Sequence, residues 1–141
     1  MDERAFGLRW TKWLKGDDGY AWVRSLGGAV FWELKVVPGE VCGIGLIREH
    51  QAVALGAIEG VGPSRVVTHK ISDMSAGYKP FDGFTACQGA KSFLVVGFRG
   101  GKEVRVFPGA VVWARFEAWR RRRGKVEGLG IEEGIRVPGA V

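Results

Sequence analysis

Glu33 and Lys35 stand two positions apart in the run Phe31-Trp32-Glu33-Leu34-Lys35-Val36-Val37. In an extended chain side chains alternate, so this pair shares one face about 7 Å apart, while Trp32, Leu34 and Val36 share the other, buried one. A carboxylate able to hold Mg²⁺, beside an ammonium able to orient a water, is what metal-assisted phosphodiester hydrolysis requires. The triplet is not specific by itself: with 15 acids in the chain, about one acid-x-Lys arises by chance. The competing reading is a solvated strand face whose Glu–Lys pair contributes less than about 1 kcal/mol. A second group comes from the helix predicted over 47–59. Its apolar stripe runs through Ile47, Ala54, Leu55 and Ile58, and Gln51 lies on that stripe. An unsatisfied buried amide costs about 1–3 kcal/mol, so an inward Gln51 needs partners. Either it caps a backbone group or reaches solvent at the helix start, or it stands beside Glu33 and Lys35 and orients the water or the phosphate.

Charge points the same way. Twenty-one Lys and Arg against 15 Asp and Glu give +6 and a pI near 9.7, which favours an anionic partner, nucleic acid first. Arg115, Arg120, Arg121, Arg122, Arg123 and Lys125 fall close together, ahead of an acidic tail with Glu127, Glu132 and Glu133. A helix C-terminus favours one or two cations through its dipole. Four consecutive arginines exceed that need, and Arg120 to Arg123 with Lys125 are expected to bind backbone phosphates without reading sequence.

The elements that must position these residues follow from periodicity. Phe6, Trp10, Trp13 and Leu14 predict a helix over 2–15, stopped by Gly16. Residues 20–26 and 29–37 read as two strands about Gly27-Gly28, a two-residue hairpin signal, with Pro38 closing the second. After the helix over 47–59 come strands at 64–71, 82–87, 92–98 and 103–107, with a polar loop at 72–80 and a turn at Gly100-Gly101. Val112, Phe116 and Trp119 mark one face of a last helix over 110–123. The Gly-rich tail 125–141 is expected to be an arm, associated with a dimer or flexible. The sum is one α/β domain of 141 residues, a central mixed sheet flanked by helices.

A first helix, then a hairpin ending in Glu-x-Lys, then a helix bearing Gln resembles the PD-(D/E)xK nucleases. The size, the basic charge and Ala21-Trp22-Val23-Arg24-Ser25 ahead of Glu33-Leu34-Lys35 look most like the archaeal-type Holliday junction resolvases. Glu49-His50-Gln51, Lys70-Ile71-Ser72-Asp73 and Lys79-Pro80-Phe81-Asp82 are similar to small bacteriophage-encoded members. The resemblance covers about residues 2–107. It implies a restriction-endonuclease-like fold and a homodimeric endonuclease that uses Mg²⁺, or Mn²⁺ as a substitute, to nick four-way DNA junctions symmetrically in the cytoplasm. Glu33 would be a metal ligand, Lys35 would position the attacking water, Gln51 would support both, and Glu3 would occupy the family's N-terminal acid position. Arg24, Ser25 and Lys79 join the expected DNA contacts.

One element of the family pattern is missing. The archaeal members carry a metal-binding Asp between the first helix and Glu-x-Lys, where this chain has only Asp17 and Asp18. In the predicted hairpin Glu33 faces Trp22 and Asp18 faces Val37. That puts Asp18 about 13 Å from Glu33, too far to share an ion with ligands at about 2.1 Å. Asp82 opens a predicted strand that could lie near Glu33, in a sequence that resembles the family's Pro-Asp element, and is expected as the second metal ligand, against the plainer reading of a turn residue beside Gly83.

Several other classes are disfavoured. His50, His69, Cys42 and Cys87 lack zinc-like spacing, and two cysteines suit a reducing compartment. No stretch approaches the about 18 apolar residues of a membrane span, no secretory leader is expected behind Met1-Asp2-Glu3-Arg4, and no small-molecule cofactor fingerprint is present. Trp10, Trp13 and Trp32 read as core, whereas Trp113 and Trp119 lie beside the arginine run and could meet DNA or a second subunit. Other functional readings are a same-fold nuclease acting on flaps or duplex, a non-catalytic architectural DNA-binding protein, and an RNA-binding module, which lacks its aromatic motif.

Overall fold

The computed structural model describes residues 1–28, 30–63, 90–122 and 128–141, and the backbone of 66–70 and 83–87. Asp2 starts the first helix, α1 (Glu3–Leu14), by accepting the Ala5 N–H at 2.8 Å, the usual role of an N-cap carboxylate. A second helix, α2 (Asp17–Leu26), follows almost at once, with Asp17 and Asp18 in its first turn, where acids suit the dipole.

That helix overturns the expected strand at 20–26 and its hairpin. Trp22 and Leu26 are four apart, so the segment fits a helical stripe as well as an alternating strand, and both residues pack against the tryptophans of α1. Gly27 adopts the left-handed conformation (φ 65°) and its N–H bonds Arg24 O at 3.2 Å. It is a helix stop, the other common use of such a glycine. Trp22 is consequently not the neighbour of Glu33.

The remaining elements are β1 (Val30–Val36), β2 (Val41–Cys42), α3 (Glu49–Ile58), β3 (Val66–Lys70), β4 (Gly83–Cys87), β5 (Lys91–Phe98), β6 (Glu103–Pro108), α4 (Gly109–Arg121) and β7 (Leu129–Gly130). The main sheet has the order β1-β5-β6. Strands β1 and β5 run parallel, with Glu33 opposite Leu94 and Lys35 opposite Val96. Strands β5 and β6 are antiparallel, with Leu94 opposite Phe107 and Val96 opposite Arg105. Separate two-stranded ladders join β3 to β4 and β2 to β7. The chain is thus a mixed α/β structure whose three-stranded mixed sheet is flanked by helices.

Helices cover both faces, and the central strand β5 is apolar from Phe93 to Phe98 for that reason. Phe93 and Val95 meet Phe6, Trp10 and Trp13 of α1, with Trp22 and Trp32 packed alongside. The Trp10 and Trp13 rings stack at 4.9 Å, and Trp32 meets Trp10 edge-on at 5.8 Å, an aromatic core of the preferred geometries. On the other face Leu94, Val96 and Phe98 meet Leu55 of α3 and Val112 and Phe116 of α4. Among the described residues no helix is long and apolar enough to cross a membrane.

The described part of the tail runs along the domain. Leu129 is fully buried, Ile135 exchanges two backbone hydrogen bonds with Val106 at 2.9 and 3.0 Å, and the Trp13 indole N–H donates to Pro138 O at 3.2 Å.

Candidate functional site

Strand β1 is an edge of the sheet, and its alternation sorts its side chains as the sequence implies: Trp32, Leu34 and Val36 enter the tryptophan layer. Glu33 and Lys35 take the face that carries Leu94 and Val96 in register. That face is not an open solvated surface, because α3 lies over it. The half-buried Glu33 Oε1 accepts from Gln51 Nε2 at 2.8 Å. The same amide uses its oxygen to accept the Arg48 N–H at 3.1 Å, capping α3. Gln51 therefore caps the helix and stands beside Glu33 at once, and the helix cap fixes the donor that holds the carboxylate.

Lys35 is held from another direction. Only 14% of its side chain is exposed, and its Nζ lies 3.7 Å from Glu3 Oε1 in the first turn of α1. Next to it the Cys42 thiol is pushed up to about 11, mainly by burial, with the Lys35 charge pulling the other way and Glu3 adding to the rise. A cavity of about 140 Å³ opens beside Glu33, walled by Phe31, Trp32, Ala54, Leu55 and Ile58, with Gln51 at its side. Apolar walls weaken solvent screening, so charges here act more strongly on one another than on an open surface. Glu33, Lys35, Gln51 and Glu3, drawn from one strand and two helices, thus form two linked contacts, Glu33–Gln51 and Lys35–Glu3.

The expected DNA contacts divide. Arg24 and Ser25 belong to α2, in the tryptophan layer on the opposite side of the sheet from the Glu33 carboxylate. Arg24 lies over the Tyr20 ring at 5.9 Å, and the Ser25 hydroxyl donates to Trp22 O at 2.6 Å. They do not join the Glu33 face, since the strand assumed for 20–26 is a helix. Asp17 and Asp18 begin that same helix, so the hairpin register that measured Asp18 against Glu33 does not exist.

Arg120 is engaged by protein partners. It bonds Glu49 at 2.8 Å and also Glu117, and its guanidinium lies over the Trp113 and Phe116 rings at 5.9 and 5.8 Å. This ties the C-terminal end of α4 to the first turn of α3, two residues before Gln51. Arg121 and Arg122 are exposed beyond it. Trp113 and Trp119 pack against the α3–α4 core. Asp82, Lys79, Arg123 and Lys125 lie outside the described residues. Among the described residues no group of three or more His, Cys, Asp or Glu is placed to hold a metal ion.

Sequence reasoning missed one group. Arg99, Lys102, Arg105 and Arg136 converge with Glu103 and Glu132 at the far edge of the sheet. Its only trace in the sequence is Arg105 on the same strand face as Phe107, in a strand that also begins with a charged residue, Glu103. No family model, curated protein or solved structure matches the chain.

Proposed function

We propose that this chain is a Mg²⁺-dependent, structure-selective endonuclease with a restriction-endonuclease-like, PD-(D/E)xK fold that nicks four-way DNA junctions. The observation that carries the reading is the 2.8 Å bond from Gln51 to Glu33, with Lys35 on the same face of the strand. Three residue types suited to hydrolytic phosphodiester chemistry, scattered over 19 positions of sequence, are brought to one face: Gln51 bonds Glu33, and Lys35 lies on the same face of the strand.

The donor set suits Mg²⁺, a hard cation commonly bound through one or two carboxylates with its remaining positions left to water. Glu33 is one such carboxylate; Asp82 is the proposed second. Bound there, the ion supplies Lewis acidity toward a phosphate oxygen and a more acidic water. The protein's own groups do the rest. Gln51 fixes the rotamer of Glu33, so the carboxylate needs little reordering on binding. Lys35, drawn out of bulk water and steadied by Glu3, orients the attacking water and stabilises charge developing on the phosphate. Arg121 and Arg122 extend from the α4 end that Arg120 fastens to α3, a position from which backbone phosphates can be held near the cavity. A two-fold dimer would set two such sites on opposing strands of a junction.

A second reading has an observation behind it. Lys35 and Glu33 already have partners within the protein, as they would in a non-catalytic DNA-binding protein. An end-labelled junction incubated in Mg²⁺, in Mn²⁺ and in EDTA, beside Glu33→Ala, separates the two. The nuclease reading expects symmetric, metal-dependent nicks that vanish in the variant; binding without nicks in either metal refutes it. Flap and linear duplex substrates test the selectivity.

A further inference from the structure

At the β6 edge two adjoining hollows, of about 360 and 530 Å³, share Glu103, Arg105 and Arg136. Arg99 and Glu132 line one and Lys102 the other. The floor is Arg105, whose side chain is 9% exposed. The tail clamps it: a β-carbon added at Gly134 would come within 2.5 Å of Arg105 Cβ, so the chain passes directly over the arginine stem. Arg105 spends one nitrogen, Nη1, on Glu103 and on Val104 O. Among the described residues its Nε and Nη2 have no hydrogen-bond partner. Arg99 is neutralised by Glu40 at the margin. Lys102 and Arg136, both exposed, form no ion pair within 4 Å among the described residues, and Arg136 acts on Glu103 only at longer range, as a minor cause of its lowered carboxyl. Glu132 is the one lining carboxylate in the same position. The groove is therefore polar and cationic on balance, and it offers a largely buried guanidinium whose free planar edge reaches the solvent of the hollow.

We propose that this groove is a binding site for a phosphate group, with Arg105 as its floor and Arg136 and Lys102 as its rim. Planar guanidinium forks match phosphate oxygens two at a time, and burial strengthens such charge-assisted bonds. Hollows of this size accept small molecules, and the same chemistry is presented by a free phosphate ester or by a nucleic-acid backbone. The site does not depend on the nuclease reading: it lies on β6, and none of its residues belongs to the Glu33 cavity. A phosphate bridging Arg105 to Arg136 would also fasten the tail, since Arg136 follows the Ile135 bridge to Val106.

The test is a titration of the ¹⁵N-labelled full chain with inorganic phosphate at low ionic strength, repeated on Arg136→Gln and Lys102→Gln. The expected result is saturable shifts at the Gly134 and Ile135 amides and slowed hydrogen exchange at Ile135. Affinity should fall about tenfold or more in Arg136→Gln. Arg136 is exposed, so this variant keeps the fold and its Val106 amide shift reports that it has. Non-saturating shifts, or unchanged affinity in both variants, overturn the proposal. A short linear duplex and deoxyadenosine monophosphate then separate the sources. Duplex that reproduces the phosphate shifts assigns the groove to the DNA backbone; monophosphate that does so while duplex does not assigns it to a free phosphate ester. Phosphate binding in a chain that never nicks DNA leaves this site standing, and nicking by a chain with an inert groove removes it alone.

Discussion

The two edges of the main sheet handle charge in opposite ways. Lys35 on β1, Val96 on β5 and Arg105 on β6 lie in one register row on one face, so the backbones that carry the two cations stand about 10 Å apart across the central strand. At the β1 edge each ionic group is met by a side chain from a helix, Gln51 for Glu33 and Glu3 for Lys35. At the β6 edge the cover over Arg105 is a tail segment whose one cation, Arg136, lines the same hollows, and Glu103 of the same strand is the only acid paired with Arg105 among the described residues. The first arrangement holds a carboxylate in a set orientation beside an apolar wall. The second leaves one edge of the Arg105 guanidinium without a protein acceptor among the described residues. Preorganised oxygen suits a cation and chemistry; unspent guanidinium suits an anion and binding.

The contrast is tested most severely at Glu33. In the proposed nuclease, Glu33→Gln keeps the hydrogen-bonding shape but removes the charge, and junction cleavage should fall by about 10³-fold or more, as when one electrostatic stabiliser of a transition state is removed. Thermal stability should move little, and single-turnover cleavage measures the effect. Retained cleavage in Glu33→Gln, with loss in an Arg105 variant, would place the chemistry at the wrong edge.

Gln51→Ala separates the amide's two roles. Loss of a cap costs about 0.5–2 kcal/mol of stability, whereas loss of a group that orients a metal ligand costs about 10–100-fold in activity or metal affinity. The expected result is both, with the activity loss visible as a raised Mg²⁺ requirement. A lower melting temperature with an unchanged Mg²⁺ profile would leave Gln51 as a cap alone.

Smaller again is the contribution of the exposed arginines. Replacing Arg121 and Arg122 by Gln should weaken binding to junction and duplex DNA alike. The slope of log affinity against log salt should become shallower by about one for each phosphate no longer neutralised. Arg120→Gln should instead act on stability, because its charge is spent on Glu49 and Glu117. If the three arginines behave identically, the distinction drawn from these ion pairs fails.

How much of this was legible in the sequence depends on which forces were local. Helices α1, α3 and α4 and strands β5 and β6 announce themselves because their apolar spacing agrees with their final burial. The facing of Glu33 away from Trp32 follows from alternation alone. The Gln51 contact was one of two open alternatives, since a Gln on an apolar stripe states a need without naming the partner. The segment 20–26 misled because Gly27-Gly28 reads as a hairpin turn, while Trp22 and Leu26 fit a helix that the same glycine stops. The choice is made by the tryptophans of α1, seven or more residues away, which no local pattern weighs. The buried Leu129 and the Ile135 bridge were hidden by glycines that read as an unstructured arm. The Arg105 groove left no more trace than a charged residue within a strand, because its members come from positions 99 to 136 and meet only through tertiary packing.

The β6 side also carries an acid-sensitive fastening. The Glu133 carboxylate accepts from Arg115 at 2.6 Å and from the Gly130 N–H at 2.8 Å, and Arg115 donates as well to Gly128 O at 2.9 Å. These bonds hold the Glu133 carboxyl below its ordinary 4.5, the Arg115 contact first. Glu103 is lowered too, by Arg105 first and then by Arg136 and Arg99. A carboxyl depressed in the folded state stabilises the fold fully above its unfolded value and loses that contribution as the pH falls through the folded one. The stabilisation is therefore present at neutral pH and lost in acid below 4.5. Both groups are well exposed, so the effect on global stability is small, but the tail should feel it locally. Hydrogen exchange at Gly130 and Ile135 should quicken below that pH, relative to the intrinsic rate, before the core amides of β5 respond. Glu133→Gln should abolish the pH dependence at Gly130 and leave that at Ile135. Acid release of the whole domain in one step, with no earlier change at the tail, would mean that both edges of the sheet are held by the same core and that the ionic contacts of β6 contribute nothing of their own.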